Sequence, residues 1–216
     1  MIADDDGRPL WRIHGLDYDM HSFVQQHPGG ALAIRLGEGI ECTALFESYH
    51  RPGAAFRALG KHRVAAGPAK PMPPMSAFQT DLDLTVQAHF AGQGRWAHKA
   101  TWSHWLLCAV FFGLELWCWV GWARGSLLAT ALLPIFFWLV TVNVMHDASH
   151  FAFASRPWIN ELCAMTGAPL LCESITWYHQ HVMSHHTHAN EVAGDVDLQH
   201  MIPLKLHSQA CFLPAA

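Results

Sequence analysis

Apolar and polar positions change rhythm three times along the chain. Over residues 1–66, short apolar stretches (Leu10-Trp11-Arg12-Ile13, Tyr18 to Val24) alternate with Gly and Asp turn signals, and helix-forming runs follow at 31–37, 41–48 and 52–60. That mixture predicts a small α+β unit. The segment Gly67-Pro68-Ala69-Lys70-Pro71-Met72-Pro73-Pro74 carries four prolines and predicts a stiff, extended linker over 67–77. From Phe78 to Phe90 the spacing of Phe78, Leu82, Leu84, Val86 and Phe90 allows an amphipathic helix of the kind that lies on a membrane surface.

Two long apolar runs come next, within a region taken as 78–216. The first, 102–122, holds Glu115 as its only acidic or basic residue apart from His104 near its start; the second, 126–145, has no charge and is interrupted by Pro134. Each has about the 20 residues that a helix needs to cross a hydrocarbon layer of ~30 Å. Trp102, Trp105, Trp119 and Trp122 stand near the ends, as an aromatic interface belt would. Buried helices of a soluble core would need more polar positions facing water, so two transmembrane helices are expected. Ala123-Arg124-Gly125 leaves room only for a tight hairpin, which puts both outer ends on one side. Arg95 and Lys99 before the first run point to the cytoplasmic side. A carboxyl inside such a run, Glu115, is a functional candidate by position alone.

Composition sharpens this picture. Charged residues make up 14% of the 216, against about 25% in an ordinary globular chain. The net charge is −4 and there are no Lys/Arg blocks, which argues against a nucleic-acid partner; the apolar content excludes intrinsic disorder. Six cysteines are scattered without a C-x-x-C pair behind an acidic start, Met1-Ile2-Ala3-Asp4-Asp5-Asp6, unlike a secretory signal. Reduced, structural thiols are expected, with Cys42 a packing residue.

The 17 histidines are the outlier, and seven of them fall within the 43 residues from His146 to His188. Two others stand apart. His27 opens His27-Pro28-Gly29-Gly30, a sharp turn able to hold an imidazole away from the backbone, and His50 follows after two short helical runs. Two imidazoles so placed can fill both axial positions of a haem iron, leaving a centre that passes electrons and does no oxygen chemistry. By spacing alone, His27 is equally an ordinary turn residue. With Leu10-Trp11, Tyr18-Asp19, Phe23, the His27–Gly30 motif and the His50 segment together, however, the sequence resembles the cytochrome b5 family. That resemblance implies haem b with His27 and His50 as axial ligands. The family's opening strand and helix have little counterpart before Asp4.

The second run ends in His146-Asp147-Ala148-Ser149-His150, and further on stands His179-Gln180-His181-Val182-Met183-Ser184-His185-His186. His146/His150 and His181/His185 share a four-residue spacing that puts each pair on one helical face, with His186 adjacent. Clustered imidazoles suit a transition metal held by nitrogen; a structural zinc site would normally include Cys. These boxes, with Gln180-His181-Val182, Asn190 and Asp195-Val196-Asp197, resemble the membrane-bound fatty acid desaturases that carry an amino-terminal cytochrome b5 domain, the front-end type. The resemblance covers residues 8–197. It implies a di-iron centre ligated by His146, His150, His181, His185 and His186, with His179 and His188 outside the pattern. It further implies a lipid acyl substrate, O2, electrons from an NAD(P)H-dependent cytochrome b5 reductase, and the cytoplasmic face of a membrane (endoplasmic reticulum in a eukaryote, inner membrane in a bacterium).

The expected fold is thus an α+β cytochrome b5-like haem domain followed by an incomplete, helical transmembrane desaturase region. The family's third box has no counterpart after His186, where only the single His188, His200 and His207 remain. The chain is therefore expected to be part of a longer protein, with a di-iron site under-coordinated on its own. Two other readings stay open: a membrane-anchored electron-transfer haem protein without a working di-iron site, and a b5-fused lipid hydroxylase.

Overall fold

The computed structural model describes residues 1–50, 54–64, 76–94, 96–168, 173–189, 191 and 194–200, which divide into two units, Met1–Lys99 and Ala100–Ala216. The prolines of the expected linker lie outside the described residues.

In the first unit, β1 (Trp11–Ile13) and β2 (Leu16–Tyr18) form an antiparallel hairpin. His14 and Gly15 both take positive φ (54° and 70°), the two-residue turn whose twist matches the flanking strands. The two-residue period sends Trp11, Ile13 and Tyr18 into the core, while Arg12 pairs in a fork with Asp17 opposite it, at 2.6 and 2.8 Å. Trp11 Nε1 donates to the Ile34 carbonyl at 2.6 Å, tying the hairpin to α1 (Ala31–Arg35). Helices α2 (Thr43–Tyr49) and α3 (Ala54–Leu59) follow. The first expected run stops short, because the chain at Gly37 passes so close to Trp11 and Cys42 that a Cβ there would lie 2.8 Å from Cys42 Sγ. The start of the chain is anchored as well: Ile2 N–H donates to the Gly39 carbonyl, and Leu10 N–H to the Ile2 carbonyl. Cys42 is a packing residue, its thiol pushed up to about 12 by burial. Helix α4 (Ala77–Phe90) forms over the expected run, with Phe78, Leu82, Leu84 and Val86 all exposed.

The second unit opens with α5 (Trp102–Ala123) and α6 (Leu127–Val140), joined at Arg124-Gly125, where Gly125 has a φ of 77°. Thr101 and Ser126 cap them by accepting from the backbone N–H of His104 and Ala129. Each helix buries one stripe against the other, Cys108, Glu115 and Cys118 facing Ala129, Leu133, Phe137 and Val140. Gly121 allows their closest approach, since a Cβ there would collide with that of Ala129. The remaining faces are apolar yet exposed, as at Leu106, Val110, Trp117, Leu128, Ile135 and Trp138. The helix runs through Pro134 and does not end where the apolar run does. It continues as a π-helical turn, Thr141–Met145, into α7 (His146–Ser149), so 127–149 is one helical run. Trp102–Ala123 and Leu127–Ser149 are both long and apolar enough to cross a membrane.

The return from α7 is held by α8 (Pro157–Ala164), whose Asn160 is 2% exposed. Asn160 Oδ1 accepts from Ala154 N–H at 2.8 Å, and its Nδ2 donates to the Ala154 carbonyl at 2.9 Å. Asn160→Ala leaves both backbone groups unpaired in a dry site and is expected to cost about 2 kcal/mol or more. Thermal unfolding checks this; a melting temperature equal to wild type would show that the clasp contributes nothing. Past α8, α9 (Ser174–Trp177), a second π-helical stretch (Tyr178–His185) and α10 (Val196–His200) complete the described chain.

Candidate haem and metal sites

In the first unit, the structure places His27 at the end of a short helical turn and His50 at the C-terminal cap of α2. Their ring centroids lie 5.8 Å apart with planes inclined at 62°. His27 Nδ1 lies 3.1 Å from the Gly30 carbonyl and His50 Nδ1 2.9 Å from that of Phe46. A ring nitrogen so placed must be protonated to donate, which leaves Nε2 of each ring as the ligand atom. Glycine at position 29 is what lets the His27 ring fold back, since a Cβ there would stand 2.9 Å from His27 Cε1. Phe46 stacks on His50 at 4.5 Å and Phe23 meets His27 edge-on at 6.0 Å. Burial lowers the pKa of both imidazoles, so both are in the neutral, ligating form at neutral pH. An iron between them, at about 2 Å from each nitrogen, needs ring centres roughly 6 Å apart. The pair fits a haem iron.

In the second unit, His146 and His150 project from α7 and its cap, while His181, His185 and His186 come from the π-helical stretch and its end. One ligand atom each from His146, His150, His181 and His186 can be chosen so that all lie within 4.8 Å of one another. His185 falls in a second group, with His181 and Asp197, so His181 belongs to both. The α-helical four-residue spacing expected for the second box is not how this is achieved. His186 N–H donates to the His181 carbonyl five residues back, and this wider turn sets His181 Nε2 and His186 Nε2 3.2 Å apart. Neighbouring ligands on one ion, at metal–nitrogen bonds of about 2.0–2.1 Å, are separated by roughly that distance. His146 and His150 rings are 4.7 Å apart, and those of His150 and His186 4.5 Å.

Burial, then the charge that His186, His146 and His181 would carry, pushes His150 down to about 3. Burial also lowers His181 and His186, against the opposing pull of Asp197. All three imidazoles are therefore neutral donors, the form that a metal takes up. His188 instead pairs with Glu191 at the surface, and His179 is exposed; neither joins the cluster.

Several partners of the cluster have roles that the sequence does not give, including Asp195 and Asp197, which the sequence marks only through the family resemblance. Trp177 stacks on His181 at 4.3 Å, and its Nε1 donates to Ser149 Oγ at 2.9 Å, joining the second box to the first. His104 on α5 reaches Asp147 at 3.4 Å, and Asp147 lies 3.3 Å from His146 Nδ1. Asp197 and Asp195 lie 2.6 and 2.9 Å from Nδ1 of His181 and His185. An Asp one, ten or sixteen residues from a His is too common a pattern to carry that information. Asn190 lies outside the described residues.

Residues 3–70 match the cytochrome b5-like heme/steroid binding domain family, and residues 121–214 the fatty acid desaturase family. Among curated proteins, an acyl-lipid omega-13 desaturase of Chlamydomonas reinhardtii is 31% identical over 95% of this chain and 50% of its own length. The Delta(8)-fatty-acid desaturase 2 of Arabidopsis thaliana is 31% identical over 89% of this chain and 43% of its own, and an acyl-lipid (8-3)-desaturase of Mortierella alpina 26% over 88% and 46%. The chain thus spans about half the length of the curated relatives it matches. No solved structure matches it. The first family implies haem and the second a di-iron centre, and the paired and clustered imidazoles fit both. The chain thus joins a cytochrome b5-like domain to a segment of the fatty acid desaturase family, and the curated relatives that it matches are named acyl-lipid and fatty-acid desaturases.

Proposed function

We propose that this chain forms the haem domain and the first two histidine boxes of an acyl-lipid desaturase, which removes two hydrogens from neighbouring carbons of a fatty acyl chain at the expense of O2. The observation that carries the reading is the convergence of His146, His150, His181 and His186 from two separate helical segments onto one point. In this reading residues 1–66 bind haem b through His27 and His50, 67–77 are the linker, and 78–216 belong to the desaturase domain. His146, His150, His181, His185 and His186 hold iron.

Haem supplies one-electron transfer and the di-iron group supplies oxygen activation; the rest falls to the residues. His27 and His50 would hold the haem iron through their two Nε2 atoms and leave no open position for dioxygen, so the group would serve electron transfer, with an NAD(P)H-dependent cytochrome b5 reductase as the donor. His150, His181 and His186 stay neutral through burial and the proximity of other imidazoles, so no proton competes for their lone pairs. Trp177, packed flat on His181, walls one side of that ring against water.

The apolar exposed faces of α5 and α6 support a membrane location, with 102–123 and 127–149 as spans. Their tight hairpin returns the chain to its starting side, so the haem domain and both boxes share one face, the cytoplasmic one on this reading. An acyl chain would reach the boxes directly from the lipid. The test is expression of the protein containing this chain in cells of defined fatty acid composition, with lipids read by gas chromatography and mass spectrometry. A new double bond is expected; an unchanged acyl profile from protein with intact haem and non-haem iron would overturn the reading.

A further inference from the structure

Four residues link the second box to the segment that follows it. Asp195 is 1% exposed, and its Oδ1 accepts from His185 Nδ1 at 2.9 Å and from Leu198 N–H at 3.0 Å. It is therefore both the N-cap of α10 and the acceptor for a box histidine. Two residues on, Asp197 Oδ2 accepts from His181 Nδ1 at 2.6 Å, while its Oδ1 accepts from Gln180 Nε2 at 2.8 Å. Ser184, between the two histidines, donates to the Gly194 carbonyl at 2.5 Å and accepts from Val196 N–H at 3.2 Å. Two imidazoles four residues apart are thus matched to two carboxylates two residues apart, with a serine fastening the segments at the midpoint.

We propose that Asp195 and Asp197 are positioning residues of the metal centre: they hold His185 and His181 in the Nδ1–H tautomer, with ring planes fixed, so that both Nε2 lone pairs face the ions. The inference rests on the metal-binding reading above and gives Asp195, and Asp197 of the second ligand group, a place behind the imidazoles and not on the ion. The geometry separates this role from ligation. Asp197 Oδ2 is engaged with a ring nitrogen that is not the metal-facing one, and its other oxygen is taken by Gln180. A carboxylate behind a ligating imidazole also raises the basicity of the far nitrogen, which strengthens its bond to a metal.

The experiment titrates Co2+ alone into the full chain, following the visible cobalt band, with circular dichroism as the folding control. Asp195→Ser keeps a side-chain oxygen short enough to cap α10 but too short to reach His185, so it removes positioning without removing the cap. Asp197→Asn keeps an acceptor and loses the charge. Both variants are expected to bind cobalt roughly 10- to 100-fold more weakly than wild type, the range for outer-shell partners, with unchanged helicity. Asp195→Asn, which retains an oxygen at full reach, should recover part of that loss. Ring-nitrogen NMR shifts of His185 should report a single Nδ1–H tautomer in wild type and a mixture in Asp195→Ser. Wild type that binds cobalt and variants that match it within about twofold would overturn the positioning role and leave the metal site standing. A wild-type chain that takes up no cobalt overturns both. Should Asp195→Ser unfold, Asp197→Asn decides alone.

Discussion

Replacing His181 by Ala is expected to strip non-haem iron from the protein while leaving its haem spectrum untouched. His181 is the one imidazole shared by both candidate ligand groups, and it sits among His146, His150 and His186 with ring centroids 4.8–5.3 Å away. The substitution removes a ligand, the acceptor side of its pairing with His186, and the ring on which Trp177 stacks. Outer-shell losses alone weaken metal sites about 10- to 100-fold, so loss of a shared ligand should weaken iron binding by at least about 100-fold. Iron analysis on protein whose haem is counted separately gives the answer, and double-bond formation by the complete protein should stop with it. Full non-haem iron in the variant would remove His181 from the site. Because the His181 ring is buried and stacks on Trp177, circular dichroism of the variant serves as the folding control.

The second large effect falls on the other unit. His27→Ala or His50→Ala is expected to abolish the low-spin, six-coordinate haem spectrum, since each ring would supply one of the two imidazole ligands of the iron. The backbone carbonyls of Gly30 and Phe46 lose their ring partners but remain near the surface of the unit, so folding should survive. Non-haem iron should stay at the wild-type level. The two substitutions thus dissociate the sites: one protein with haem and no second metal, the other with the second metal and altered haem, and neither making a double bond. A Soret band unchanged in His27→Ala would sink the axial assignment.

Much of this was legible from local pattern. The period-two stretch at Trp11–Ile13, the short helices of the first unit and the two long apolar runs name their own elements, because hydrophobic spacing and turn residues act over a few positions. His27-Pro28-Gly29-Gly30 is legible for the same reason, since a turn is a local object. Pairing of His27 with His50, and of one box with the other, came from resemblance to families, not from spacing. Helix across Pro134 and at His146–His150 is legible as well; the π-helical turn Thr141–Met145 that joins the two is not, because nothing in residue type marks a wider turn. Beyond that turn the helix is held by packing of Ser149 against Trp177 and of its inner face against α8.

Residue type and short-range period suffice for the order of parts, the two apolar helices and the histidines with chemistry to offer. Only the tertiary structure decided which imidazoles share a point and which nitrogen of each faces it. A five-residue turn and not a four-residue one joins His181 to His186, and Asp195 and Asp197 take the Nδ1 of two box histidines from ten and sixteen residues away. Those choices depend on where a returning segment packs, and a hydrogen bond between distant residues leaves no periodic trace in the chain.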